Sequence, residues 1–378
     1  MQLHYIADFL KECGHQVCFY TMDYMPHRPA REDIGGFTVY RNHSMPNGPW
    51  MIRKQMRRLR GIIQQVLPDV LFARSLRSVY ALYRVSQECE VPFVYQLPCL
   101  FEENWYSLRT TLVNLRKARW NFFNAWLAPR HFWKADRVLT VSRDDAIRVA
   151  ERFAVQVKAI HNMHPSPLPR IRTLSKGFRV VWLNNLKRLK RPEMFVELAR
   201  RLRDTRAIFV MGGAISDDSY GRRLQREIKA TPNLQYSGPL SFDDGNRLLS
   251  QANVAVITSQ EEGFSNVSIQ SWLREVPVVT TMDKDRIIAN HRIGFAVSTM
   301  DELEKRVRFY LESPEEAVAD GRRARQYAVE HHSIACQGPM YLEVFEGVAR
   351  RRQCVKTECQ CREDASQAAA VQTASSHV

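Results

Sequence analysis

Glu262, Gly263, Ser265 and Asn266 place a carboxylate, a tight turn and two helix-capping side chains close together in the chain. They lie between two apolar runs, Val254–Thr258 and Val276–Thr280, which read as buried strands, with a helical pattern through Trp272 and Leu273 between them. The order is strand, acidic glycine turn, helix, strand. A turn of this kind leaves the N–H groups of Phe264–Val267 without intrahelical partners, and dipole and hydrogen bonds there favour an anion such as a phosphate. Glu262, just outside, can accept hydrogen bonds from hydroxyl groups. A second chemical stretch, Asn184–Arg191, follows the apolar run Phe178–Leu183 and ends before the helix start at Pro192. Its basic residues Lys187, Arg188, Lys190 and Arg191 can supply a cation, and a solvated basic loop is the plain alternative. On its own, an acid-glycine turn is an ordinary helix start.

The surrounding pattern alternates strand and helix. Leu3, Ile6, Phe9 and Leu10 have helical spacing, and Gly14 closes that helix before a strand at Gln16–Thr21. After turn-rich residues 25–36 come a strand at Phe37–Tyr40 and a basic helix over Trp50–Val66. Strands at Val70–Ala73 and Pro92–Leu97 flank a helix at Ser75–Glu88, and Asp136–Ser142 and Lys158–Asn162 continue the alternation. Pro165–Ser175 is the linker candidate. Beyond it, strands at Phe178–Leu183, Ile208–Met211 and Leu234–Tyr236 alternate with helices at Pro192, Tyr220–Lys229 and Phe242–Gln251. Helices at Asp301–Leu311, Pro314–Glu330 and Tyr341–Arg352 follow the central motif. This is the pattern of doubly wound parallel sheets.

A chain of 378 residues, 45% hydrophobic and 25% charged, has room for two cores of good size. No apolar run is long enough to span a bilayer and no signal peptide opens the chain. The cysteines are scattered; Cys13, Cys18, Cys89, Cys99 and Cys336 fall in patterned segments expected to be buried, which points to reduced thiols and a cytoplasmic setting. Cys354, Cys359 and Cys361 lie in an alanine- and serine-rich tail expected to be disordered. A net charge of +15 suits phosphorylated substrates or an anionic membrane surface. Without zinc-finger spacing or an RNA-binding aromatic motif, nucleic acid is the weakest of the partners it suggests. The stretch Glu102–Asp136 interleaves aromatic with basic residues and suits either packed helices or a membrane interface.

Glu262-Gly263-Phe264-Ser265-Asn266-Val267 with Pro277-Val278-Val279 resembles the donor-binding signature of retaining glycosyltransferases of the GT-B fold, the family with two glutamates separated by seven residues. Glu262 matches the first glutamate and Gln270 stands at the second. The resemblance implies two doubly wound Rossmann-like domains facing across a cleft. The implied division is an N-terminal acceptor-side domain over 1–164, a linker at 165–176 and a nucleotide-sugar domain over 177–330. A helix at 331–352 would cross back to the first domain, ahead of the tail at 353–378. Relative to the family, Met1 falls inside the first helix, so either the start is misassigned or the N-terminal sheet lacks its first strand. No catalytic residue carries over from that domain, because Gln96, Leu97 and Pro98 stand where the family often has a histidine or acid.

The resemblance further implies transfer of a sugar, with retention, from a nucleotide-diphosphate sugar to a glycan or lipid-linked acceptor of the cell envelope. Glu262 would orient the sugar and Lys190 would hold the diphosphate. Asn185 stands where the family has an arginine, and Gly263, Phe264, Ser265, Asn266, Val267 and Gln270 complete the donor site. Gln270 would grip the ribose without the charge-assisted component of a carboxylate. No metal and no cofactor are expected, and the acid pairs Asp217-Asp218 and Asp243-Asp244 fit turns better than a metal site. The expected location is cytoplasmic, at the inner face of the membrane if the basic segment docks there. The competing reading is a degenerate, non-catalytic member that binds a nucleotide or a partner.

Overall fold

The computed structural model describes residues 1–23, 27–43, 49–75, 79–99, 131–166 and 177–351. Most of the basic aromatic stretch, most of the linker, and the tail with Cys354, Cys359 and Cys361 lie outside the described residues.

The N-terminal half opens with helix α1 (Gln2–Glu12) and strands β1 (Cys18–Met22), β2 (Arg31–Ile34) and β3 (Phe37–Asn42). β1 runs parallel to β3, and β2 pairs antiparallel with β3's other edge. Gly35 and Gly36, at φ +59° and +81°, make the turn, since a tight hairpin that matches strand twist needs left-handed residues at its tip. Patterning read residues 25–36 as turn because β2 is an edge strand made mostly of charged residues. After α2 (Pro49–Val66), strands β4 (Leu71–Ala73), β5 (Phe93–Leu97), β6 (Arg137–Thr140) and β7 (Val157–Ala159) form a parallel sheet in sequence order, with α3 (Val79–Glu88) and α4 (Arg143–Phe153) between strands. β5 is buried along its whole length, as a parallel strand covered on both faces must be. Among the described residues no strand joins β1 to β4, so the N-terminal strands form two sheets.

The C-terminal half is one six-stranded parallel sheet of β8 (Arg179–Leu183), β9 (Ile208–Gly212), β10 (Leu234–Tyr236), β11 (Val254–Ile257), β12 (Val278–Thr280) and β13 (Gly294–Ala296), in the order β10-β9-β8-β11-β12-β13. Its helices are α5 (Pro192–Arg201), α6 (Ser219–Lys229), α7 (Phe242–Ser250), α8 (Asn266–Trp272), α9 (Ile287–His291), α10 (Met300–Glu312) and α11 (Pro314–His332). The edge strand β13 was not legible: it is short and starts at Gly294, where an added Cβ would meet the Val278 carbonyl oxygen at 2.0 Å.

Two apolar layers sandwich the C-terminal sheet. Trp182, Phe195, Phe209 and Tyr310 lie in one, Ile269, Trp272, Leu273 and Val276 in the other. The helix at 334–351 returns to the N-terminal half, where Tyr341, Val344 and Val348 pack with Tyr5, Ile6, Val94 and Ile160. Tyr341 Oη donates to Gln96 Oε1 at 2.9 Å, which satisfies two buried polar groups at that junction. The cysteines are less covered than their patterning suggested. Cys13 and Cys18 are exposed, at the end of α1 and the start of β1, and Cys89, Cys99 and Cys336 are half-buried.

Candidate active site

In the C-terminal sheet the chain moves outward from β8 through β9 to β10, then restarts at β11 on the other side of β8. The loops leaving the carboxyl ends of β8 and β11 therefore diverge and leave a crevice, the usual place for a ligand in an open α/β sheet. Those loops hold the two chemical stretches read from the sequence, and hydrogen bonds stitch them together. Trp182 Nε1 donates to Thr258 Oγ1 at 2.9 Å, Thr258 Oγ1 donates to the Lys190 carbonyl at 2.7 Å, and Gln260 N donates to the Leu189 carbonyl at 2.9 Å. Lys190 Nζ thereby forms an ion pair with Glu262 Oε1, which also accepts from Ser259 Oγ at 2.5 Å. Glu262 is only 10% exposed and Lys190 22%, so solvent screens this pair less than a surface bridge.

The other basic residues of the β8 loop are committed elsewhere or face solvent. Arg188 lies over the Tyr220 ring at 4.4 Å, and Arg191 Nε donates to the Thr258 carbonyl at 2.8 Å. Lys187 and Asn185 are exposed. Lys190 is thus the cation of this loop that meets the acidic turn.

Gly263 brings the motif loop against Pro98 of the N-terminal half. A Cβ there would meet the Pro98 carbonyl oxygen at 1.8 Å, so only glycine fits. Phe264 is buried against His161 and His332, with ring centroids 5.2 and 4.8 Å away. Ser265 caps α8 by accepting from Ser268 N at 3.3 Å. Asn266 Oδ1 accepts from Gln2 Nε2 at 3.0 Å, a bond from the first helix to the motif helix. Val267 is half-buried against the core. Gln270 is buried on the same helix, and its Nε2 donates to Asn246 Oδ1 of α7 at 3.1 Å. The motif residues share one short segment, but Gln270 is turned toward α7 and stands apart from the Lys190–Glu262 pair.

The N-terminal half contributes residues that the sequence reading did not assign to the site. Asn162 Nδ2 donates to the Phe264 carbonyl at 3.1 Å, and Asn162 Oδ1 accepts from Arg74 Nη2 at 2.8 Å. The Gln2 amide also bonds both backbone groups of Met163, its Oε1 accepting at 3.0 Å and its Nε2 donating at 2.9 Å. Burial holds His332 well below the ordinary imidazole value, and burial lowers His164 from 6.5 to about 4, so both are neutral at pH 7.

Beside this, Asp285 reaches from the C-terminal half to the start of α4. Its carboxylate accepts from the backbone N–H groups of Arg143 and Asp144 at 3.0 and 2.9 Å, and His161 Nε2 lies 2.9 Å away. Asp285 N donates back to Asp144 Oδ2 at 2.9 Å, and Lys284 Nζ bonds buried Asp145 Oδ1 at 2.7 Å. Burial pushes the Asp285 pKa up, but the hydrogen bonds from His161, Arg143 and Asp144 outweigh it and hold the carboxyl below the usual range. No sequence pattern marked this contact, and the positive φ of Asp285, +57°, is seen only in the structure.

Residues 2–163 match the family described as glycosyl transferase 4-like domain, and residues 177–313 the family described as glycosyl transferases group 1. No curated protein matches the sequence. Among solved structures, the sucrose-phosphate synthase of Thermosynechococcus elongatus superposes with a TM-score of 0.73 at 14% identity, covering 95% of this chain and 93% of that one. Anabaena HepE, solved with UDP-glucose, gives 0.64 at 15% identity, covering 82% and 86%. WaaG, a glycosyltransferase involved in lipopolysaccharide biosynthesis, gives 0.65 at 12% identity, covering 92% and 95%.

Proposed function

Because the chain is a glycosyltransferase of GT-B architecture, we propose that it moves a sugar, with retention, from a nucleotide-diphosphate sugar to a hydroxyl of a cell-envelope glycan or lipid-linked acceptor. The observation that carries the residue roles is the Lys190–Glu262 ion pair in the crevice between β8 and β11. In this reading Lys190 transfers its charge-assisted bond to the leaving diphosphate, and the N–H groups of Phe264–Val267 add neutral donors to it. Glu262, released from the lysine, accepts from sugar hydroxyls and orients the ring. The acceptor oxygen attacks the anomeric carbon on the face the diphosphate leaves, the carbon–phosphate oxygen bond breaks, and the acceptor proton passes to the departing phosphate oxygen. Asn185 and Gln270 contribute neutral hydrogen bonds where the family uses charge.

A panel of nucleotide-diphosphate sugars tests this, starting with UDP-glucose, the compound solved with the Anabaena relative. Hydrolysis or transfer that persists in a chelator supports the metal-free reading, and failure of every donor to bind rejects the proposal. The alternative, a non-catalytic nucleotide binder, has exposed Asn185 and α7-bonded Gln270 in its favour. It is supported if UDP binds but no donor is ever turned over.

Among the described residues no helix is long and apolar enough to cross a membrane. The proposed membrane contact, at the inner face, rests on the charge of +15 and on the stretch Glu102–Asp136. Binding to acidic vesicles that falls as salt rises supports it, and equal binding to neutral vesicles rejects it.

A further inference from the structure

Arg74 is the first residue beyond β4, at the carboxyl edge of the N-terminal parallel sheet, and one hydrogen-bonded step connects it to the motif loop. Its Nη2 donates to Asn162 Oδ1 at 2.8 Å, and the Asn162 amide nitrogen holds the Phe264 carbonyl. Its Nη1 is buried and has no hydrogen-bond partner. No carboxylate pairs with it among the described residues. The same half of the chain treats buried Arg41 differently: it is neutralised by Asp23 at 3.2 Å and Glu32 at 2.7 Å. An uncompensated buried guanidinium is costly, and this one is not balanced by its surroundings. Burial lowers its pKa, opposed in part by the phenols of Tyr341 and Tyr95. His332, whose Nδ1 lies 3.1 Å from the Asn162 carbonyl oxygen, is itself kept neutral by burial.

We propose that Arg74 is the receptor for an anionic group, a phosphate or a carboxylate, on the second substrate, bound where the N-terminal sheet faces the motif loop. An oxyanion there would take the charge-assisted hydrogen bond that Nη1 lacks, and guanidinium geometry suits both anions. The assignment rests on the donor reading above only in calling that substrate the second one. It narrows the acceptor to one with a fixed negative charge close to the accepting hydroxyl.

The test uses the full chain saturated with UDP and titrated with inorganic phosphate or acetate at ionic strength matched by chloride. Calorimetry and thermal denaturation are the readouts, and the two anions distinguish a phosphorylated from a carboxylated acceptor. In the wild-type chain one of them should bind and raise the melting temperature beyond chloride. Arg74→Gln should weaken that binding at least about tenfold, the value of a charge-assisted bond. Arg74→Lys should keep part of it, and Lys190→Ala should lose UDP while still binding the anion. If Arg74→Gln fails to fold, the wild-type comparison with chloride and the lysine variant decide. The proposal is overturned if neither anion outdoes chloride, or if Arg74→Gln binds as the wild type does. It is also overturned if UDP and Lys190→Ala each abolish anion binding, since the anion would then occupy the donor's diphosphate site. Absence of UDP binding sinks the donor reading instead, and the anion titration without UDP still stands.

Discussion

Gln270 on α8 and Asn246 on α7 are joined side chain to side chain, Nε2 of the glutamine donating to Oδ1 of the asparagine at 3.1 Å. The bond fixes the orientation of a buried amide at the position where the resembled family carries its second glutamate. A carboxylate there would face the Asn246 oxygen and would need that amide to turn its nitrogen inward.

Gln270→Glu should therefore tighten UDP and every UDP-sugar alike, by up to about tenfold, because the asparagine can flip and the ribose is common to all donors. Adding Asn246→Asp should reverse the gain, since two buried acids would then confront each other. Calorimetric titration of both variants reads this directly, and equal donor affinity in all three proteins would remove the ribose role from residue 270.

Removing either partner of the Lys190–Glu262 pair leaves the other charge half-buried and unpaired. Lys190→Ala should weaken binding of the free nucleoside diphosphate, and Glu262→Ala should leave it nearly intact while lowering turnover by about a hundredfold or more. The double variant should be less impaired than the two losses added together, as expected for groups in contact. Additive losses in a kinetic cycle would mean that the pair does not act as a unit.

Asp285 should give the junction between the halves an acid-labile component. Its carboxyl is held below the usual value, so its contribution is complete at neutral pH and is lost as pH falls through the folded-state value, below about pH 4. Asp285→Asn should cost about 1–3 kcal/mol at pH 7, because charge-assisted bonds to two backbone N–H groups become weaker ones. Urea unfolding of the two proteins should converge once pH has fallen below the folded-state value. A difference that persists there would place the effect in packing.

His164 should act over a higher window. Its imidazole falls from 6.5 to about 4 on folding, so the unfolded chain binds more protons between those values. Stability contributed by the neutral ring is present above pH 6.5 and is lost as pH drops toward 4, with a slope of at most about 1.4 kcal/mol per pH unit. His164→Gln should flatten the fall of melting temperature between pH 7 and pH 5. His332, lowered by full burial, should leave a residual slope in that variant. An unchanged profile would show that the His164 ring does not govern it.

The C-terminal sheet and its motif were legible because their signals are local. Parallel strands buried on both faces read as short apolar runs, and Ser265 caps its helix through an atom only three residues away. Glu262 was singled out by residue type beside a turn and Lys190 by its match to the family's lysine, though their meeting depends on two loops diverging from adjacent strands. β2 and β13 escaped notice because an edge strand can be charged and short. What tertiary structure alone decided is how the halves meet: Gln2 with Asn266, Arg74 through Asn162 to Phe264, and Asp285 at the start of α4. Those pairs are far apart in sequence and lie on different elements, so no periodicity records them. Each joins polar groups largely shielded from water, so the geometry of closure, not a local pattern, chooses the partner.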